Sequence, residues 1–154
     1  MAILKEKEEQ INSILPELEK LKTEQLEGPK VEIFSSKKGI RTVLNLIFKE
    51  KKEVLIHGSI NRFKEIMESY YEIWNQRRLK EKIKVKILTN EEIELPLAEV
   101  NLLSEEEKSS ITMLTFADNT IIILWSDVPI AVLIESKEIA KDNALFFNSI
   151  WERE

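Results

Sequence analysis

From Val31 onward, apolar residues recur at two different periods, which together predict a sheet with helices. VEIFSS (31–36), EVLIHG (53–58) and IKVKIL (83–88) have the short apolar runs typical of strands. Between them, KKGIRTVLNLIFKEKK and INRFKEIMESYYEIWNQRRLKEK place apolar residues three or four positions apart, which predicts two long helices. Strands that alternate with such helices predict right-handed crossovers and a parallel sheet through residues 31–88.

The pattern changes after residue 88. AEVNLL, SITMLTF, TIIILW and PIAVLIE predict four successive strands, separated by the turn signals SEEEK, ADN and SDV. A last helix is predicted to begin at Ser136, which is a suitable N-cap, with Glu138 in its first turn. We therefore expect an α/β (α+β) fold, in which helices flank a mixed sheet.

The N-terminal residues predict a projecting coiled-coil helix. Apolar residues follow a short heptad pattern at Leu4, Ile11, Ile14, Leu18 and Leu21. We expect this seam to pair with a second copy of the chain, although a helix that packs on its own domain would show the same pattern. Pro16 lies inside the helix, so the helix should kink there or restart with Pro16 in its first turn.

The stretch EGPK is the clearest break in the chain, because Gly and Pro together end one element and redirect the backbone. We place the domain boundary there. Residues 1–28 form the linker or coiled-coil helix, and residues 29–154 form the second domain.

Composition narrows the classes of function. The net charge of −5 disfavours binding of nucleic acid by this chain alone. With no Cys and a single His, we expect neither a metal site nor a cofactor. The N-terminus lacks the apolar region of a signal peptide, so we expect a cytoplasmic protein. The abundance of Glu, Lys and Ile is typical of thermophile proteins, although AT-rich coding produces a similar bias.

Four stretches carry a resemblance to a known family: RRLKEKIKVKIL, DNTIIILWSDVPIAVLIESKEIA, LFFNSIW and INSILPELEKL. Together they resemble one half of the phospholipase D fold, in the form found in the C-terminal effector domain of TrmB-like archaeal transcription regulators. RRLKEKIKVKIL is similar to the helix end, basic turn and strand before the family's hairpin. DNTIIILWSDVPIAVLIESKEIA resembles the hairpin and the next strand, and LFFNSIW resembles the closing F-x-x-x-W. INSILPELEKL resembles the helix that links the DNA-binding and effector domains. The likeness spans nearly the whole chain.

The active-site motif of this fold is incomplete here. Active phospholipase D enzymes carry H-x-K-x-x-x-x-D, in which His is the nucleophile, Lys binds the phosphoryl oxygens and Asp supports the His. On the hairpin ITMLTFADNTIIILW, the His position is Ile111, the Lys position is Met113, and only Asp118 remains. We therefore expect no catalysis, and we interpret Asp118 as part of the hairpin turn.

The resemblance implies a noncatalytic module of a transcription regulator, which dimerises and senses an effector. DNA would be bound only through a winged helix outside this chain, so the chain is either an excised effector region or a stand-alone protein of the same build. A divergent phosphodiesterase that uses His57 and a purely structural dimerisation domain are the alternatives.

The carboxyl ends of the predicted parallel strands are the candidate ligand site, because open parallel sheets bind ligands there. Free amides at the following helix starts would favour a sugar or an anionic metabolite. The alternative is that the serines only cap helices and that His57 is satisfied by the backbone. The candidate residues are Ser35, Ser36, His57, Gly58, Ser59, Thr89 and Asn90.

Two further groups of residues have structural interpretations. The basic run from Arg77 to Lys86 is expected to be a solvated face rather than a nucleic-acid groove, because its surroundings are acidic. Trp74, Trp125 and Trp151 could line a sugar site, but each follows an apolar period and is expected in the core.

Overall fold

A computed structural model describes residues 9, 16, 28–104 and 109–153 of the chain. The chain divides into two compact units, Met1–Lys30 and Val31–Glu154. The predicted dimerisation seam lies outside the described residues, at Leu4, Ile11, Ile14, Leu18 and Leu21.

The described residues form seven strands and five helices. The strands are β1 (Lys30–Ser35), β2 (Val54–Gly58), β3 (Val85–Thr89), β4 (Ala98–Leu102), β5 (Ile111–Phe116), β6 (Asn119–Leu124) and β7 (Ile130–Glu135). The helices are α1 (Ser36–Leu44), α2 (Ile47–Glu50), α3 (Asn61–Met67), α4 (Ser69–Lys80) and α5 (Lys137–Trp151). None of these helices is long and apolar enough to cross a membrane.

The strands form one mixed sheet in the order β1-β7-β6-β5-β2-β3-β4, which confirms the predicted α+β class. β2, β3 and β4 run parallel, whereas β5, β6 and β7 extend the sheet from β2 in antiparallel pairs. The predicted parallel pairing is right for β2 and β3 and wrong for β1, which lies beside β7 at the opposite edge. There the Ser36 amide donates to the Pro129 carbonyl (2.9 Å).

Both predicted long helices are interrupted. Glu68 has a positive φ of 52° and separates α3 from α4, and Asn45 and Leu46 separate α1 from α2. The apolar spacing continues through each break, so periodicity alone cannot locate it. The last helix does begin after Ser136, whose Oγ accepts a hydrogen bond from the Ile139 amide (3.2 Å).

An aromatic cluster forms the centre of the core, between one face of the sheet and α1 to α4. Phe63 lies 5.3 Å from Trp74, 5.0 Å from Tyr71 and 5.7 Å from Trp125, measured between ring centroids. Trp74 and Trp125 are buried, as expected for core residues. Trp151 is only half-buried, and its ring stacks on Phe147 at the end of α5.

Arg78 departs from the expected solvated face, because its side chain is fully buried. Its guanidinium donates to the carbonyls of Ile83 (2.9 Å), Pro96 (2.6 Å) and Leu97 (3.1 Å), and its Nε donates to Asn75 Oδ1 (3.2 Å). Burial lowers the pKa of the Arg78 guanidinium. These bonds tie α4 to the residues that precede β3 and β4, including the end of the β3–β4 loop.

Among the described residues, α5 is the only element that covers the second face of the sheet. This helix packs on β2, β5 and β6, and its end reaches β4, where Asn101 Nδ2 donates to the Trp151 carbonyl (3.3 Å). The outer strands β7 and β1 extend beyond it. Val31 and Ile33 of β1 are 62% and 72% exposed, and they alternate with Phe34, which packs against the core.

Replacing Arg78 with Met should lower the free energy of unfolding by about 3 kcal/mol or more, because one buried and two part-buried carbonyls lose their donor. Urea unfolding followed by tryptophan fluorescence measures the change. Lys80→Met, on the exposed side of the same helix, is the matched control and should change stability by no more than about 0.5 kcal/mol. Equal effects of the two substitutions would contradict the role assigned to Arg78.

Candidate functional site

The structure brings together part of the predicted strand-end site. Because β2 and β3 are parallel neighbours, their carboxyl ends lie at the same edge, where Gly58, Ser59 and Thr89 are buried. Asn90 follows Thr89 and is half-buried. The anion-binding geometry expected there does form, at the start of α3.

The chain's own Glu91 carboxylate takes the anion position. Its Oε1 accepts hydrogen bonds from the amides of Ile60 (2.7 Å) and Asn61 (3.0 Å), and its Oε2 accepts one from Ser59 Oγ (2.7 Å). The Glu91 amide donates to Thr89 Oγ1 (3.2 Å), which fixes the turn that carries the carboxylate. Ser59 Oγ also caps α3 by accepting from the Arg62 amide (3.0 Å).

Gly58 and Ser59 also join β2 to β5. The Ser59 amide donates to the Ile111 carbonyl (2.9 Å), and Thr112 Oγ1 donates to the Ser59 carbonyl. Trp125 Nε1 in turn donates to Thr112 Oγ1 (2.7 Å). Gly58 has a φ of +114°, and a Cβ there would lie 2.3 Å from the Ile111 carbonyl oxygen, so this junction requires glycine.

Ser35 and Ser36 lie far from these residues. They end β1, which is separated from β2 by three strands, so the two strand ends are about 19 Å apart at the usual spacing between strands. The Ser35 side chain makes no cap hydrogen bond to α1. The seven predicted ligand-binding residues therefore do not form one site.

His57 faces away from the strand-end cluster. It alternates with the buried core residues Ile56 and Gly58 and points to the face that carries α5. There it lines a pocket of about 250 Å³ between the sheet and α5. The lining residues are Leu55, His57, Leu88, Met113, Thr115, Asn143, Phe146, Phe147 and Ile150.

Sequence periodicity could have identified part of this pocket. Alternation along β2 and β5 places Leu55, His57, Met113 and Thr115 on one face, and their pairing in the sheet makes them neighbours. Asn143, Phe147 and Ile150 follow at helical spacing along α5. No sequence pattern shows that this helix returns over β2 and β5, so the two sets could not be joined in advance.

Of the three positions compared with the phospholipase D motif, Met113 lines the same pocket. Met113 pairs directly with His57 across β2 and β5, and Ile111 precedes it by two residues on the same face. Asp118 lies in the β5–β6 turn, where its carbonyl accepts from the Ser136 amide (2.9 Å). The positive φ of this turn falls on Ala117 (50°).

The sequence matches no protein-family profile and no curated protein sequence. Among solved structures, the chain is similar to TrmBL2, an archaeal chromatin protein with a novel mode of DNA binding. That match has a TM-score of 0.48 and 17% identity, over 97% of this chain and 67% of TrmBL2. It is also similar to NucT from Helicobacter pylori, with a TM-score of 0.48 and 15% identity, over 80% of this chain and 96% of NucT. Both similarities are distant.

Replacing Glu91 with Ala should destabilise the fold by about 1 to 3 kcal/mol, because two amides and one hydroxyl lose a charged acceptor at a helix start. Chemical unfolding of the variant and the parent chain measures the difference. Glu92→Ala removes the neighbouring exposed carboxylate and should cost no more than about 0.5 kcal/mol. Indistinguishable losses would show that Glu91 does not hold the strand ends.

Proposed function

We propose that the chain is a noncatalytic dimerisation and effector-sensing module of a TrmB-like transcription regulator. The observation that carries the proposal is an apolar sheet surface beside α5 that no other described element covers. We call it the open face, and it consists of Val31, Ile33, Ile111, Met113, Ile122, Leu124, Ile130 and Val132.

The open face is built from continuous cross-strand rows. Ile111, Leu124 and Ile130 are paired in register across β5, β6 and β7. Met113, Ile122 and Val132 form the next row. Neither row contains a charged residue, and Leu124 and Ile130 are 43% and 39% exposed.

A partner surface explains why these rows are apolar. Soluble monomers seldom leave large contiguous apolar patches in water, and directly paired apolar side chains add to the same patch. A second copy is the simplest partner, because a two-fold axis brings the same surface from both chains together. The net charge of −5 opposes this association at long range, so apolar burial has to drive it.

The noncatalytic assignment is supported by the surroundings of His57. In the phospholipase D mechanism a cation beside the nucleophile stabilises the phosphoryl oxygens. The residue paired with His57 is Met113, and no Lys or Arg is among the lining residues that the structure describes. Binding of DNA is assigned to a separate domain, since the chain itself is acidic.

Leu124→Glu should weaken self-association at least about tenfold, because it would bury an unpaired carboxylate between two apolar surfaces. Light scattering at tens of micromolar measures the mass, and the parent chain should give twice its own 18.0 kDa. Ile73→Glu is the matched control, since Ile73 is 58% exposed on α4, which packs on the other face. It should leave the dimer intact.

Deletion of residues 1–28 should also weaken the dimer without unfolding the sheet, if the N-terminal seam contributes as its heptad pattern predicts. Circular dichroism of the shortened chain separates loss of association from loss of fold. A parent chain that stays monomeric at tens of micromolar would overturn the dimerisation proposal.

The purified chain should hydrolyse no phosphodiester, because aliphatic side chains occupy two positions of the catalytic motif. Incubation with a chromogenic phosphodiester, compared with buffer alone, tests this expectation. Turnover that His57→Ala abolishes would favour the divergent phosphodiesterase instead.

A further inference from the structure

We infer that the pocket under α5 binds a small, neutral aromatic molecule that carries one hydrogen-bonding group. The inference rests on the sensing role in the proposed function and names the chemical class of its ligand. This ligand class differs from the sugar or anionic metabolite expected at the strand ends, because the pocket is lined mainly by apolar side chains.

The pocket is apolar over most of its wall, and the described residues that line it include no carboxylate, Lys or Arg. Leu55, Leu88 and Met113 form the floor on the sheet, and Phe147 and Ile150 form the roof on α5. Transfer of a charged ligand into such surroundings is unfavourable without a partner charge. A sugar would leave several hydroxyl groups without partners, which is also unfavourable.

Three polar side chains interrupt this lining, and they retain unused hydrogen-bonding capacity. The His57 ring and the Thr115 hydroxyl make no side-chain hydrogen bond within the described residues. Asn143 donates its amide to Thr120 Oγ1 (3.3 Å), and its carbonyl oxygen has no donor among the same residues. Every fully buried polar side-chain atom in the described part of the chain has a partner, so the unpartnered atoms of these three residues are not fully buried, and all three residues line the pocket.

The three groups converge. Leu55 pairs with Thr115 and His57 pairs with Met113, so His57 and Thr115 are diagonal neighbours about 7 to 8 Å apart. Asn143 faces them from α5, one helical turn before Phe147. An apolar cavity with a few convergent polar groups is the usual form of a small-molecule site.

The volume sets the size of the ligand. A dry apolar cavity of about 150 Å³ accommodates benzene, so a pocket of about 250 Å³ has room for roughly ten non-hydrogen atoms by the same proportion. A bicyclic ring such as indole fits this estimate. Its ring would contact the leucines and Phe147, and its N–H would donate to His57 or Thr115.

The pocket also adjoins the open face. Met113 belongs to both, and Phe146, which is 66% exposed, lines the pocket on the α5 side. A ligand that fills the pocket therefore borders the surface assigned to the second copy. Any preference of the ligand for the dimer over the monomer would shift the association equilibrium by the same factor.

Titration of the full chain with indole and with indene, its carbocyclic isostere, tests the inference. Protein NMR should show saturable binding of indole with a dissociation constant below about 1 mM, and indene should bind at least about fivefold more weakly because it cannot form the hydrogen bond. The affected signals should include those of Leu55 and Met113. Glucose and benzoate should not compete.

Variants of the pocket residues test which side chains contact the ligand. The double variant His57→Phe and Thr115→Val keeps most of the volume and should reduce the preference for indole to about twofold or less. Thr42→Val, on the exposed side of α1, should leave the preference unchanged. Met113→Trp should fill the pocket and abolish binding of both compounds, which keeps the test valid if the double variant fails to fold.

Dimerisation is measured separately, without ligand. A chain that does not dimerise would therefore leave the ligand assignment unchanged, and a chain that does not bind indole would leave the dimerisation proposal unchanged. Indole binding that weakens as the protein is concentrated would show that a second copy fills the pocket, and would overturn the inference. Absence of indole binding below about 1 mM, or an unchanged indole preference in a folded double variant, would overturn it as well.

Discussion

A single helix cannot cover one face of a seven-stranded sheet, and the functional surfaces of this protein follow from that constraint. With 15 residues, α5 is about 22 Å long and about 10 Å wide with its side chains. Seven strands extend over about 29 Å. The helix lies over β2, β5 and β6, so it leaves this face of β7 and β1 uncovered in the described part of the chain. The pocket forms where the helix leaves space above β2.

The sequence predicted each strand, since local periodicity records which side chains are buried. It did not predict the partner of β1, because the alternation in VEIFSS is equally compatible with β2 and with β7. The breaks at Asn45 and Glu68 were also missed, since neither interrupts the apolar spacing. The Ser136 cap was predicted correctly, because an N-cap depends on residues within one helical turn.

In the candidate site, too, features set by neighbouring residues were predicted, and features set by residues distant in sequence were not. Gly58, Ser59 and Thr89 were expected together because parallel neighbours end at one edge of a sheet, and they do meet. Glu91 gave no signal, since it is one of three glutamates in a short loop and no periodicity distinguishes it. Its carboxylate reaches the Ile60 and Asn61 amides because of the turn at Thr89, which is a tertiary feature that only the folded chain defines.

The guanidinium of Arg78 is held by neutral acceptors, namely three carbonyls and an amide oxygen. Carbonyl groups do not gain protons as the solution becomes acidic, whereas a carboxylate partner would. The contacts of Arg78 with the β3–β4 loop therefore do not depend on the protonation of a carboxylate. Buried contacts of this kind are also poorly screened by salt, so this part of the fold should respond little to changes in ionic conditions around an acidic surface.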